Sequence, residues 1–68
     1  MKIKILREKK NITQLKMAMD LNMSQNTISR YETGEREPSL AELIKIADYF
    51  DVSIDYILDR TDNPKINR

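Results

Sequence analysis

Three times the chain sets down a residue that tolerates left-handed backbone, then an apolar residue, then a hydroxyl residue: Asn11-Ile12-Thr13, Asn22-Met23-Ser24 and Asp51-Val52-Ser53. No other feature narrows the fold as far. Asn and Asp accept the positive φ needed just past a helix end. Thr and Ser accept the first free N–H groups of the helix that comes after them. The apolar residue before such a cap packs against the one four positions after it, here Met17, Ile28 and Ile57. Gly34 supplies a fourth stop, Pro38 keeps residues 35–38 out of any helix, and Ser39 with Glu42 forms a capping box.

These signals predict five short helices. The first covers about residues 2–10 and the second runs from the Thr13 cap to Asn22. The third runs from Ser24 to Gly34, the fourth from Ser39 to Asp51, and the fifth starts at Ser53, where Asp55 faces the positive end of its dipole. Strand signals are nearly absent, with one glycine, no alternating β-branched run and no Asn-Gly or Asp-Gly turn. Ile3 and Leu6 share a face of the first helix, and Leu43, Ile46, Ala47 and Phe50 form an i, i+3, i+4, i+7 stripe on the fourth. The expected fold is all-α, a compact five-helix bundle with a helix-turn-helix in its second and third helices. Residues 1–59 form the one domain that 68 residues allow, and 60–68, RTDNPKINR, form a polar, frayed tail.

Composition excludes much chemistry. The chain has no cysteine and no histidine, which removes disulfides, thiolate nucleophiles, the commonest general base and the usual zinc and iron–sulfur ligands. No metal and no organic cofactor is expected. A single glycine rules out a phosphate-binding glycine loop, and the pairs Asp55/Asp59 and Glu35/Glu37 are carboxylates without a catalytic partner. The expectation is a non-enzyme. The longest apolar runs are three residues, Met17-Ala18-Met19 and Tyr56-Ile57-Leu58, too short to span a membrane, and MKIKILREKK is not a signal peptide. A cytoplasmic location is expected.

Charge is polarised along the chain. Residues 1–34 carry seven basic and three acidic side chains, net +4, and residues 35–68 carry five and eight, net −3. Such a split suits a polyanion near the N-terminal half. The second and third helices are joined only by Leu21-Asn22-Met23-Ser24, the tight link of a helix-turn-helix, whose second helix enters the DNA major groove. On the third helix Ile28 and Tyr31 share the inner face. Gln25, Asn26, Thr27, Ser29 and Arg30 take the rest. These are the side chains that meet base edges, Gln or Asn on adenine, Arg on guanine and a Thr methyl on a thymine methyl, and they are also ordinary solvent-facing residues.

Residues 2–58 resemble the DNA-binding domain of the lambdoid phage repressors and the bacterial regulators related to them (the XRE family). The resemblance lies in LREKKNITQ, MAMDLNMSQNTISRYETGEREPS and LIKIADYFDVSIDYIL. Within them Thr13-Gln14, Ala18, Leu21, Ser24, Ile28-Ser29, Tyr31-Glu32, Gly34 and Pro38 stand at the family's spacing. It implies a sequence-specific transcriptional regulator, a repressor that binds double-stranded DNA as a homodimer on a near-palindromic operator. Gln25, Asn26 and Arg30 take the family's base-reading positions, with Thr27 and Ser29 beside them. Gln14, at a helix N-terminus that favours anions in any case, takes its phosphate-clamping position, and Arg36 reaches the backbone of the same half-site. Arg7 and Glu32 are implied as a structural ion pair between the first and third helices rather than as DNA contacts.

Some positions depart from the pattern. Lys16 replaces the usual acid, so the second helix loses its capping box; the cation either contacts a phosphate or is surface drift. Leu15 and Met19 point away from the core where the family is polar, which is either ordinary exposure or a contact for a protein partner. Val52, Ile54, Ile57 and Leu58 either all close the core or leave Ile54, Ile57 and Leu58, with Tyr56, for a dimer interface at the fifth helix. The rival to a DNA-binding regulator is an antitoxin or adaptor whose main partner is another protein.

Overall fold

The computed structural model describes residues 1–65. Among these the chain forms five helices and no strand: α1 Ile3–Lys9, α2 Gln14–Leu21, α3 Gln25–Thr33, α4 Leu40–Phe50 and α5 Ile54–Ile57. None is long and apolar enough to cross a membrane.

The triplets are the corners of the fold. Asn11, Asn22 and Asp51 have φ of 61°, 56° and 54°. After each, the apolar residue donates its N–H to the carbonyl five residues back: Ile12 to Arg7, Met23 to Ala18 and Val52 to Ala47, at 3.4, 2.8 and 3.0 Å. That bond satisfies a carbonyl the helix end leaves open. The hydroxyl residue then caps the next helix. Thr13 accepts from the Lys16 N–H, Ser24 from Thr27 and Ser53 from Tyr56, at 3.0, 3.1 and 3.0 Å. Ser39 and Glu42 exchange both bonds of the capping box. Asp59 makes a further left-handed turn, φ 63°, with the Arg60 N–H on the Asp55 carbonyl.

The core is built from every helix: Ile3 and Leu6; Met17, Ala18 and Leu21; Ile28 and Tyr31; Leu43, Ile46, Ala47 and Phe50; and Ile57, with Val52 from the last corner. The stripe expected on the fourth helix is buried throughout. Polar bonds fasten its flanks. The Tyr31 hydroxyl donates to Glu42 and the Tyr49 hydroxyl to Asp20, both at 2.6 Å, joining α3 and α2 to α4. Lys45 Nζ donates to the Leu21 carbonyl at the open end of α2. The chain's beginning meets α5, with the Lys2 N–H on the Ile57 carbonyl, and the α-amino group and Lys2 Nζ both on Asp59.

At the C-terminal end the alternatives left open at the fifth helix narrow, and one expectation changes. Ile57 has no exposed surface, so it belongs to the core and is not available to a second subunit. A helix of four residues is too short for periodicity to separate its inner from its outer face. The tail differs as well. Residues 60–65 turn back, and the Ser53 N–H donates to the Pro64 carbonyl at 2.9 Å, where a frayed end was expected. The last three tail positions, 66–68, lie outside the described residues.

Candidate nucleic-acid interface

Ile28 and Tyr31 anchor α3 by its inner face, which decides what its outer face presents. Gln25, Asn26 and Arg30 are exposed, and Thr27 and Ser29 are half-buried. Asn26 and Arg30 are four apart, so they stand one turn along the same edge. The Thr27 hydroxyl lies 2.7 Å from the Ser24 Oγ, which engages it in the cap. Across the corner, Gln14 at the start of α2 joins Gln25, Asn26 and Ser29 in lining one shallow concavity. Three carboxamides and a hydroxyl thus converge there, all able to donate and accept hydrogen bonds.

Cations flank this edge. Arg30 and Arg36 are exposed, and neither is ion-paired among the described residues. The Arg36 N–H donates to the Arg30 carbonyl at 3.3 Å, returning the loop after α3 to its last turn. Lys16 is exposed but already occupied, its Nζ 2.9 Å from Asp20 one helical turn on. Tyr49 and Lys16 together hold the Asp20 carboxyl below its ordinary value, with the tyrosine hydrogen bond the larger cause.

Arg7 and Glu32 form a close ion pair. Arg7 Nε and Nη2 donate to the two Glu32 oxygens at 2.6 and 3.2 Å, and Arg7 Nη1 donates to the Ile12 carbonyl at 2.8 Å. The hydrogen bond to Glu32 raises the guanidinium pKa further, against the opposing effect of burial. The glutamate side chain is 3% exposed. Sequence reasoning missed a third donor: Gln14 Nε2 gives a hydrogen bond to Glu32 Oε1 at 3.1 Å. The two residues are eighteen apart, and no local pattern signals such a pair.

Leu15 and Met19 are 53% and 70% exposed on the outer side of α2. At the other end, Ile54 and Tyr56 are half-buried and Leu58 is at the edge of exposure. Among the described residues no group of three acidic side chains is placed to hold a metal ion.

A helix-turn-helix family model matches residues 3–57, which contain all five helices. The chain is 39% identical over 64 residues to the uncharacterized HTH-type transcriptional regulator YqaE of Bacillus subtilis, covering 94% of this chain and 55% of that one. It is 40% identical over 50 residues to the cryptic phage CTXphi transcriptional repressor RstR of Vibrio cholerae, covering 74% and 45%. It is 39% identical over 57 residues to the HTH-type transcriptional activator BcrR of Enterococcus faecalis, covering 84% and 28%. The chain thus spans about half the length of the first curated relatives it matches. No solved structure matches it significantly. With the match running over the whole bundle, the chain belongs to the helix-turn-helix family, in the branch of the lambdoid repressors and the bacterial regulators like them.

Proposed function

We propose that the chain is a sequence-specific DNA-binding transcriptional regulator, a repressor that occupies a near-palindromic operator as a homodimer. One observation carries this reading: α3 buries Ile28 and Tyr31 and leaves Gln25, Asn26 and Arg30 exposed beside Gln14. In the major groove Gln25 and Asn26 pair with adenine edges and Arg30 with guanine. Thr27 offers its methyl to thymine, and Ser29 serves base or phosphate. Gln14, Lys16 and Arg36 hold the backbone of the same half-site, Lys16 by leaving Asp20. The role is one of binding, not catalysis, and the protein names of its relatives support it. Ile54, Tyr56 and Leu58 form the surface for the second subunit, placing half-sites about one DNA turn, roughly 34 Å, apart.

A protein partner at Leu15 and Met19, as for an antitoxin or adaptor, is the second reading, favoured by their exposure. Selection from a random duplex pool decides between the two, with wild type beside a Gln25→Ala, Arg30→Ala double variant. Wild type is expected to enrich a near-palindrome, the variant nothing. Binding should also weaken steeply with salt as phosphate contacts release counterions. Failure of wild type to enrich any sequence would move the function to the α2 surface.

A further inference from the structure

Glu32 puts a carboxylate next to the surface proposed to meet a polyanion, and the contacts around it say why that is tolerated. Arg7 neutralises it through a two-pronged contact. Arg7 also holds the Ile12 carbonyl, one residue before the Thr13 cap of α2. The oxygen that accepts from Arg7 Nη2, Oε1, also takes one N–H of the Gln14 carboxamide. From the end of α3, Glu32 therefore grips the start of α2 twice, through Arg7 at the corner and directly at its first side chain.

An amide nitrogen carries two hydrogens. With one on Glu32, the rotation of the Gln14 side chain is set, and its second N–H and its oxygen remain for a ligand at the concavity that Gln14 lines with Gln25, Asn26 and Ser29. A glutamine otherwise loses much rotamer freedom on binding, and ordering it beforehand removes that cost from the complex. We propose that Glu32 is a positioning residue for DNA binding: it touches no DNA and pre-orders Gln14 for its phosphate, while Arg7 cancels its charge. This rests on the DNA-binding reading above.

The test is a double-mutant cycle on the selected duplex. Single substitution of Glu32 strands the Arg7 charge and endangers the fold, so the pair is replaced together, Arg7→Met with Glu32→Met. Apolar replacement of both partners of a buried pair is commonly tolerated, and it leaves the net charge unchanged. Combined with Gln14→Ala, this gives four proteins whose affinities and melting temperatures are measured together. The Met pair is expected to weaken binding about five- to twentyfold where Gln14 is present and by less than about twofold where Ala replaces it. In the free protein, NMR of the Gln14 side-chain amide should show an ordered group in wild type and an averaged one with the Met pair. An equal loss of affinity in both backgrounds overturns the proposal, because the pair then acts through the fold alone. If wild type binds no duplex while the NMR change is seen, the DNA-binding reading is what has failed, and the positioning role falls with it.

Discussion

Glu42 closes its own helix with one carboxylate oxygen and holds α3 with the other, accepting from the Ser39 N–H and from the Tyr31 hydroxyl. Tyr31 is the largest cause of its lowered pKa, ahead of the two contributions of Ser39. Asp20 is lowered by Tyr49 and Lys16, and Asp59 by Lys2 and the chain's own amino group. Folded values below the unfolded ones mean stability that is complete above the ordinary carboxylate range and lost as pH falls through the folded values. Melting temperature is therefore expected to hold level from pH 7 to about 5 and to drop below about pH 4. Tyr31→Phe should return the Glu42 titration, followed by NMR, toward 4.5. At the alkaline end burial, aided by Glu42 and Asp20, pushes Tyr31 and Tyr49 up to about 12. Their contribution is intact below pH 10 and disappears between there and about 12. A melting temperature unmoved at pH 3 would mean that these contacts do not distinguish the folded from the unfolded chain.

The corners are where single elements are specified. At Asn22, φ 56° and ψ 45°, a side chain with a Cβ and no local polar partner is strained by roughly 1–2 kcal/mol. Asn22→Ala is expected to cost about 1 kcal/mol in urea denaturation, and Asn22→Gly to cost nothing or to stabilise slightly. The same locality explains what the sequence made readable. Cap, staple and stop act within five or six residues, so helix ends, the α4 stripe and the inner face of α3 could be read in advance. Tyr31–Glu42, Tyr49–Asp20 and Gln14–Glu32 join residues 11, 29 and 18 apart. They depend on how helices dock, which no periodicity reports. Gln14 shows the limit at the candidate site: its position at the start of α2 was legible, and the glutamate that holds it there was not.

At the scale of the whole molecule, a core of thirteen buried residues among those described leaves little redundancy. The two neighbours Ile57 and Leu58 separate folding from assembly. Ile57→Ala empties a fully enclosed site and is expected to cost roughly 2–5 kcal/mol, a large part of a total of about 5–15. Leu58→Lys acts at a partly exposed position, and the fold should change by no more than about 0.5 kcal/mol. If α5 carries the second subunit, Leu58→Lys lowers affinity for a paired site far more than for an isolated half-site. Equal loss on both duplexes would remove α5 from the interface. Residues 1–34, which contain α1 to α3 and every residue proposed to read bases, carry net +4 against −3 beyond them.

The three corners act as gears. Because one apolar residue ends a helix and starts the next, no residue in a corner is spare, and each corner sets the rotational phase of the helix after it. One residue inserted between Asn22 and Ser24 separates the Met23 bond to the Ala18 carbonyl from the Ser24 cap, and so unseats the α3 start that holds Ile28 in the core and the Asn26–Arg30 edge beside Gln14. The outer face of α3 can therefore vary one side chain at a time, whereas the step that leads into it is fixed in length by a bond at either end.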